Sequence, residues 1–188
     1  MGACAICLPS YASEFYKLSE CERSRVLCEA VKQTAGRLPV FAQVNFASVV
    51  QAVEAAHEAQ KAGASAIAIA VPRMFACDEC DLYRYFDQIL CSIDIPLLIQ
   101  DFNPSGRTIT ARFASELHKV HKHFRWIKLE EPMMSSKVSS ILEATHGGVG
   151  VFEGWGGMYM LDLIPAGICG VMPGLAWPYR ICWSRYFS

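Results

Sequence analysis

The chain has 188 residues, 53% hydrophobic and 19% charged, with a formal net charge of −1. That length and apolar share suit one domain, or at most two small ones, and exclude a disordered polyelectrolyte. The balanced charge excludes a general nucleic-acid or acidic-membrane binder, which needs a basic surplus, and no apolar run approaches the ~18 residues of a membrane helix.

Short apolar runs alternate with amphipathic segments along the whole chain. Strands are predicted at Ala3–Leu8, Val40–Val44, Ala66–Val71, Pro96–Asp101, Trp126–Glu130, Val149–Phe152 and Ile168–Met172. The first of these is too short for a signal-peptide core and has no basic leader. Helices are predicted between them. Ser19–Thr34 opens on a Ser-x-x-Glu capping box, Ser19 with Glu22, and ends before Gly36; Ser48–Ala62 stops at Gly63. Asp78–Cys91, Thr110–His121, Ser135–Ala144 and a shorter stretch near Met158–Ile164 complete the set. Strict β/α alternation predicts a parallel sheet covered by helices. The first strand-to-helix turn, Leu8–Ser13, has no glycine fingerprint, and no phosphate-cradling GxxxxGK[ST] is present, so neither a Rossmann domain nor a P-loop enzyme fits. Seven regular strands favour a barrel-like arrangement, although 188 residues are few for a complete (β/α)₈ barrel of about 250.

The nine cysteines are odd in number and several lie in apolar runs (Cys4, Cys7, Cys169), which points to a reduced, cytoplasmic protein rather than a disulfide framework. Cys77 and Cys80 have CxxC spacing without a second pair, and read as two thiols in a helix's first turn. His118, His121 and His123 lie among Lys119, Lys122 and Arg125, and read as a solvated helix end; no metal site is expected.

One strand breaks its apolar pattern: Trp126-Ile127-Lys128-Leu129-Glu130. Alternation puts Ile127 and Leu129 on one face and Trp126, Lys128 and Glu130 on the other. In a parallel barrel the apolar pair packs on the helices and Lys128 points inside. Burial disfavours the ammonium and makes a neutral amine available, the nucleophile that forms Schiff bases with ketones. A structural salt bridge between Lys128 and Glu130 is the alternative. The predicted C-terminal strand ends, where barrels place their sites, read Ser13-Glu14-Phe15, Asn45, Pro72-Arg73, Gln100-Asp101, Glu130-Glu131, Glu153-Gly154 and Met172-Pro173-Gly174. They form a polar rim.

These residues carry a family resemblance. Ala12–Ser19 followed by Glu22-Arg23 resembles the Gly-Thr-Thr-Gly-Glu…Leu-Ser…Glu-Arg segment of the dihydrodipicolinate synthase/N-acetylneuraminate lyase family. Gly36-Arg37-Leu38-Pro39-Val40 and Ala62-Gly63-Ala64 fit its next unit, Ile127–Glu130 resembles the segment bearing its Schiff-base lysine, and Gly167–Met172 resembles its eighth strand. The resemblance implies a (β/α)₈ TIM barrel and a class I aldolase or dehydratase acting on pyruvate or a 2-keto-3-deoxy sugar acid. It implies no metal or organic cofactor, and a dimer or tetramer. It further implies that the chain holds the family's strands 2 to 8 without strand 1 or the closing helices. Residues 1–177 then form a partial barrel and 178–188 a tail unlike the family.

The resemblance places the catalytic positions at Lys128, Gln100 and Tyr11. It places substrate contacts at Ser10, Ala12, Ser13, Glu14, Arg73, Asp101, Arg107, Glu130, Glu153 and Gly154. The family's two threonines fall at Tyr11 and Ala12, and its proton-shuttling tyrosine falls at Gln100, whose amide does no acid–base work. Asp101, Tyr11 or Glu153 is then expected to supply the proton. Arg73 stands where it could bind a second anionic group. These departures suit a sugar-acid branch better than lysine biosynthesis. A catalytically silent chain contributing at most to an oligomer is the alternative, and a phosphate-binding barrel using the glycines from Gly147 to Gly157 is a third reading.

Overall fold

A computed structural model describes residues 3–73, 77–102, 108–132 and 134–174. Arg107 and the tail 178–188 lie outside the described residues.

Seven strands alternate with helices: β1 (Ile6–Leu8), α1 (Glu20–Thr34), β2 (Val40–Gln43), α2 (Val49–Lys61), β3 (Ala66–Ala70), α3 (Glu79–Leu90), β4 (Leu97–Phe102), α4 (Ala111–Val120), β5 (Phe124–Glu130), α5 (Ser135–Ala144), β6 (Gly150–Glu153), α6 (Met160–Leu163) and β7 (Gly170–Val171). The predicted elements are all present, with ends shifted by a few residues. The helix starts follow their sequence signals. Ser19 caps α1, accepting from the Glu22 amide at 3.3 Å while Glu22 accepts from the Ser19 amide at 2.8 Å. Asp78 caps α3 in the same manner, and Thr110 caps α4. Gly63 ends the α2 turn at φ 92°, a left-handed conformation that a side chain rarely adopts.

Every strand pair is parallel and the order in the sheet is the order in the chain, β1-β2-β3-β4-β5-β6-β7. Right-handed crossovers in an unreversed order put every helix on the same side of the sheet, so it curls toward a barrel instead of forming an open, doubly covered layer. The fold is an incomplete (β/α)₈ barrel.

The two faces are distinct. Ile67, Ile69, Leu97, Ile99, Ile127, Leu129 and Val151 join buried residues of the helices, among them Ala52, Ala56, Phe86, Phe113, Leu117 and Ile141, in one core. The inner face has a smaller cluster of Phe41, Ala66, Ala68, Leu98 and Phe152, with Cys7, Trp126, Cys169 and Met172 against it. The Phe41 and Trp126 rings lie 5.3 Å apart and form much of its floor. In β3, Ala-Ile-Ala-Ile-Ala, the isoleucines serve the helix layer and the alanines leave room inside.

The histidines in and just after the last turn of α4 are not a solvated helix end. His118 and His121 are buried, and the acidic partner invisible in the local sequence comes from α3, where Asp87 Oδ1 lies 2.7 Å from His121 Nε2. His118 Nδ1 lies 3.0 Å from the Phe124 carbonyl, and His123 Nε2 lies 2.8 Å from that of Leu90. Among the described residues no helix is long and apolar enough to cross a membrane.

Ile127 is fully buried in the helix-side core, so Ile127→Ala is expected to cost about 2–5 kcal/mol in urea unfolding. Val50→Ala, at a position 66% exposed, is expected to stay within about 0.5 kcal/mol.

Candidate active site

Register assembles the site. Ala70 pairs with Gln100, Gln100 with Lys128, Lys128 with Phe152, and Phe152 with Gly170. Side chains of one parity in a row across a parallel sheet share a face. Gln100 and Lys128 therefore stand together on the inner face, above the apolar floor, with Glu130 one step nearer the mouth. The Lys128 and Glu130 side chains are 13% and 12% exposed, and their Nζ and Oε1 atoms lie 3.0 Å apart.

The Glu130 carboxylate is also the end of a chain of directed hydrogen bonds. Gln100 Nε2 donates to it at 2.5 Å, Gln43 Nε2 donates to Gln100 Oε1 at 2.6 Å, and the Cys7 thiol donates to Gln43 Oε1 at 3.6 Å. Each amide is oriented by its neighbour, and the series points donors toward the carboxylate. Burial pushes the Cys7 thiol up to about 12 against the lowering pull of the Lys128 charge, so Cys7 is a protonated donor and not a nucleophile. Asn45 completes the cluster: its Oδ1 accepts from the Ala70 amide at 2.8 Å and from Gln43 Nε2 at 3.3 Å, while its Nδ2 is buried without a protein partner.

Gly154 lies against this pair. A Cβ there would sit 2.4 Å from Glu130 Cγ and 2.8 Å from both Lys128 Cε and the Leu129 carbonyl, so no side chain fits without moving the ion pair. The other positions on the rim divide. Tyr11 and Ser13 lie on a 3₁₀ turn after β1, with Ser10 at its start, and the Ser10 and Ser13 hydroxyls are 3.3 Å apart. Burial, and secondarily the Glu130 charge, raise the Tyr11 phenol, which keeps its proton beside the mouth. Ala12 meets Gly174, where an added Cβ would come 2.7 Å from the alanine's own. The loop after the first strand thus touches the turn after the last. Glu14 turns away into an exposed pair with Lys17.

Asp101 and Glu153 share the parity of Ile99 and Val151, away from Lys128. Asp101 is fully buried; it accepts from Arg73 Nη2 at 2.5 Å and from the Ile109 amide at 2.7 Å. Arg73 also donates to the Phe102 carbonyl at 3.2 Å, so its guanidinium is committed to the end of β4. Glu153, equally buried, accepts from the Trp155 and Gly157 amides at 3.0 and 2.7 Å and fixes the loop that carries Gly154. Lys128, Gln100 and Glu130 are brought together with Tyr11 and Gly154 nearby; Arg73 and Asp101 are brought to each other. Gln43 and Cys7 are site residues absent from the set expected on sequence. A signal for Gln43 existed: it breaks the apolar strand Val-Phe-Ala-Gln with the parity of inward Phe41.

The model of the Dihydrodipicolinate synthetase family matches residues 2–175. The chain belongs to that family. It is 24% identical to the L-2-keto-3-deoxyarabonate dehydratase of Azospirillum brasilense over 183 residues, covering 94% of this chain and 59% of that protein. It is 38% identical over 92 residues to the 4-hydroxy-tetrahydrodipicolinate synthase of Brucella suis, covering 49% of this chain and 31% of that protein. A solved dihydrodipicolinate synthase from Aquifex aeolicus superposes with a TM-score of 0.85 at 25% identity, over 91% of this chain and 58% of that one. The chain therefore spans less than two thirds of the length of these relatives.

Gly154→Ala is expected to displace Glu130 and Lys128 while costing about 1–3 kcal/mol of stability, read as a lowered urea midpoint in a chain that still gives native circular dichroism. Burial also raises the Asp101 carboxyl above its ordinary 3.8, outweighing the lowering effects of the Ile109 amide and the Arg73 charge. A raised acid contributes stability that is full below its unfolded value and lost as pH rises through the folded value. Urea midpoints measured as pH rises from below 3.8 are expected to show that loss in the parent and a shallower one in Asp101→Asn.

Proposed function

We propose that the barrel mouth forms a Schiff base between Lys128 Nζ and the keto carbon of a 2-keto acid, and that the acid is a hydroxylated, 3-deoxy sugar acid. The observation that carries this is the lysine inside the barrel, 3.0 Å from a carboxylate able to take its proton. Glu130 accepts a proton from the ammonium, and the neutral amine adds to the keto carbon. The carbinolamine loses its hydroxyl as water, with the proton returned by Glu130, which leaves a protonated imine. That imine is an electron sink beside C3.

From there the same carboxylate removes a C3 proton to give the enamine. The enamine pair expels the C4 hydroxyl, which leaves as water after receiving a proton; the Tyr11 phenol, held protonated, is the donor at the mouth. Gln100 stands where the wider family has a tyrosine and moves no proton. Its amide fixes Glu130 instead, which explains how the site works without that tyrosine. The Ser10–Ser13 turn receives the substrate carboxylate and sets the keto carbon beside the amine.

The sugar-acid reading rests on the polar lining. Gln43, Gln100 and Asn45 put three carboxamides around the mouth, and the unpartnered Asn45 Nδ2 is a donor for a substrate hydroxyl. The similarity of 94% of the chain to an L-2-keto-3-deoxyarabonate dehydratase supports the same class.

Borohydride reduction in the presence of a 2-keto-3-deoxy pentonate, with pyruvate alongside, is expected to add the reduced ligand's mass at Lys128. No adduct with either acid on folded protein overturns the proposal. Glu130→Gln is expected to slow adduct formation by about 10²–10⁴-fold in a chain that still gives native circular dichroism, with a lowered unfolding midpoint because the enclosed Lys128 loses its partner. An unaltered rate in that variant removes Glu130 from the mechanism.

A further inference from the structure

A second cluster lies at the opposite end of the strands from Lys128. Asp87 and Cys91 are one turn apart at the end of α3, a spacing that puts both side chains on one helix face. His121, directly after α4, presents Nε2 to the same face. One oxygen, one sulfur and one nitrogen donor here all lie within 4.8 Å of one another.

We propose that Asp87, Cys91 and His121 form a binding site for a zinc-class divalent cation that clamps α3 to α4. A tetrahedral ion with bonds of about 2.0–2.3 Å holds its donors roughly 3.3–3.8 Å apart. The Asp87–His121 pair, at 2.7 Å, would open slightly to admit the ion, and the exposed Cys91 side chain is free to swing in. A thiolate with an imidazole selects zinc, cobalt or a similar borderline ion over magnesium or calcium, which take oxygen donors. Neighbouring imidazoles do not compete for it. His123 is bonded to the Leu90 carbonyl and His57 to that of Ser92. The fourth position opens on a trench between α2 and α3 lined by Val49, Val50, Glu54 and Gln88, which leaves room for a water ligand.

The placement gives the ion a structural role. Cys91 leads into β4, and His121 stands three residues before β5, the strand that carries Lys128. Bound metal would fix the starts of these two strands and stay clear of the mouth, so this inference is independent of the proposed chemistry.

The test uses the full chain, stripped of metal and titrated with Co(II) and then Zn(II). Cys77, just before the Asp78 cap, and Cys80, in the first turn of α3, are both exposed and would obscure the result, so the background carries Cys77→Ser and Cys80→Ser. There, one equivalent of Co(II) is expected to give a thiolate-to-cobalt charge-transfer band, displaced by Zn(II), and Zn(II) is expected to raise the melting temperature. Adding Cys91→Ser, an exposed and conservative change, is expected to abolish the band and weaken Zn(II) binding by about 100-fold or more. Absence of the band in the double-serine background overturns the proposal, as does a band that survives Cys91→Ser. Borohydride trapping at Lys128 is expected to be the same with and without Zn(II).

Discussion

The ion pair between Lys128 and Glu130 is the constraint around which the inner face is built. Two opposite charges held in a largely enclosed space are tolerable only if each is paired and the carboxylate's remaining capacity is met by donors. Gln100 supplies that donor, Gln43 orients Gln100, and Cys7 and Asn45 orient Gln43. Room for the pair comes from what is missing elsewhere: the alanines of β3, and Gly154, whose lack of a side chain is what lets its backbone approach Glu130 and Lys128. A side chain at position 154 would force the pair to move.

Parity divides the carboxylates of the mouth into two kinds. Glu130 shares the inner face with Lys128, a side-chain partner able to exchange a proton with it. Asp101 and Glu153 share the outer face with the helix-packing residues, and their oxygens take backbone amides at the strand ends. The first kind is suited to chemistry. The second holds the segments that frame it, with Glu153 positioning Gly154 and Asp101 tying Arg73 to the start of the next helix. A substitution at Asp101 or Glu153 therefore acts on the site through the loops.

The barrel separates its tasks along the strands as well. The mouth carries the polar series, while the opposite end carries the contacts of α3 and α4, where His118 reaches the next strand and His121 and His123 reach back to the preceding helix. These imidazoles join the start of β5 and the residues before it to α3 and α4. The lysine-bearing strand is thus held from both ends, by helix-side packing of Ile127 and Leu129 and by the histidines at its foot.

Much of this was legible in the chain. The alternation of Ile127-Lys128-Leu129-Glu130 already assigns the lysine and the glutamate to one face and the apolar pair to the other, because side-chain period in a strand is fixed by backbone geometry. The Ser19–Glu22 box and the glycine at 63 mark helix ends for equally local reasons. The partners of His121 and of Gln100 were not legible. Asp87 is 34 residues from His121, and Gln43 is 57 residues from Gln100; such pairs are made by strand order and register, which no local pattern encodes. Nor could composition tell Glu130 from Glu153, since both are carboxylates at strand ends. The sequence by itself determined the β/α alternation, the face of each strand residue and the inward lysine. Only the tertiary structure decided which of those inward groups meet, because contact across a barrel depends on how the sheet curls and how far each strand is displaced along its neighbour.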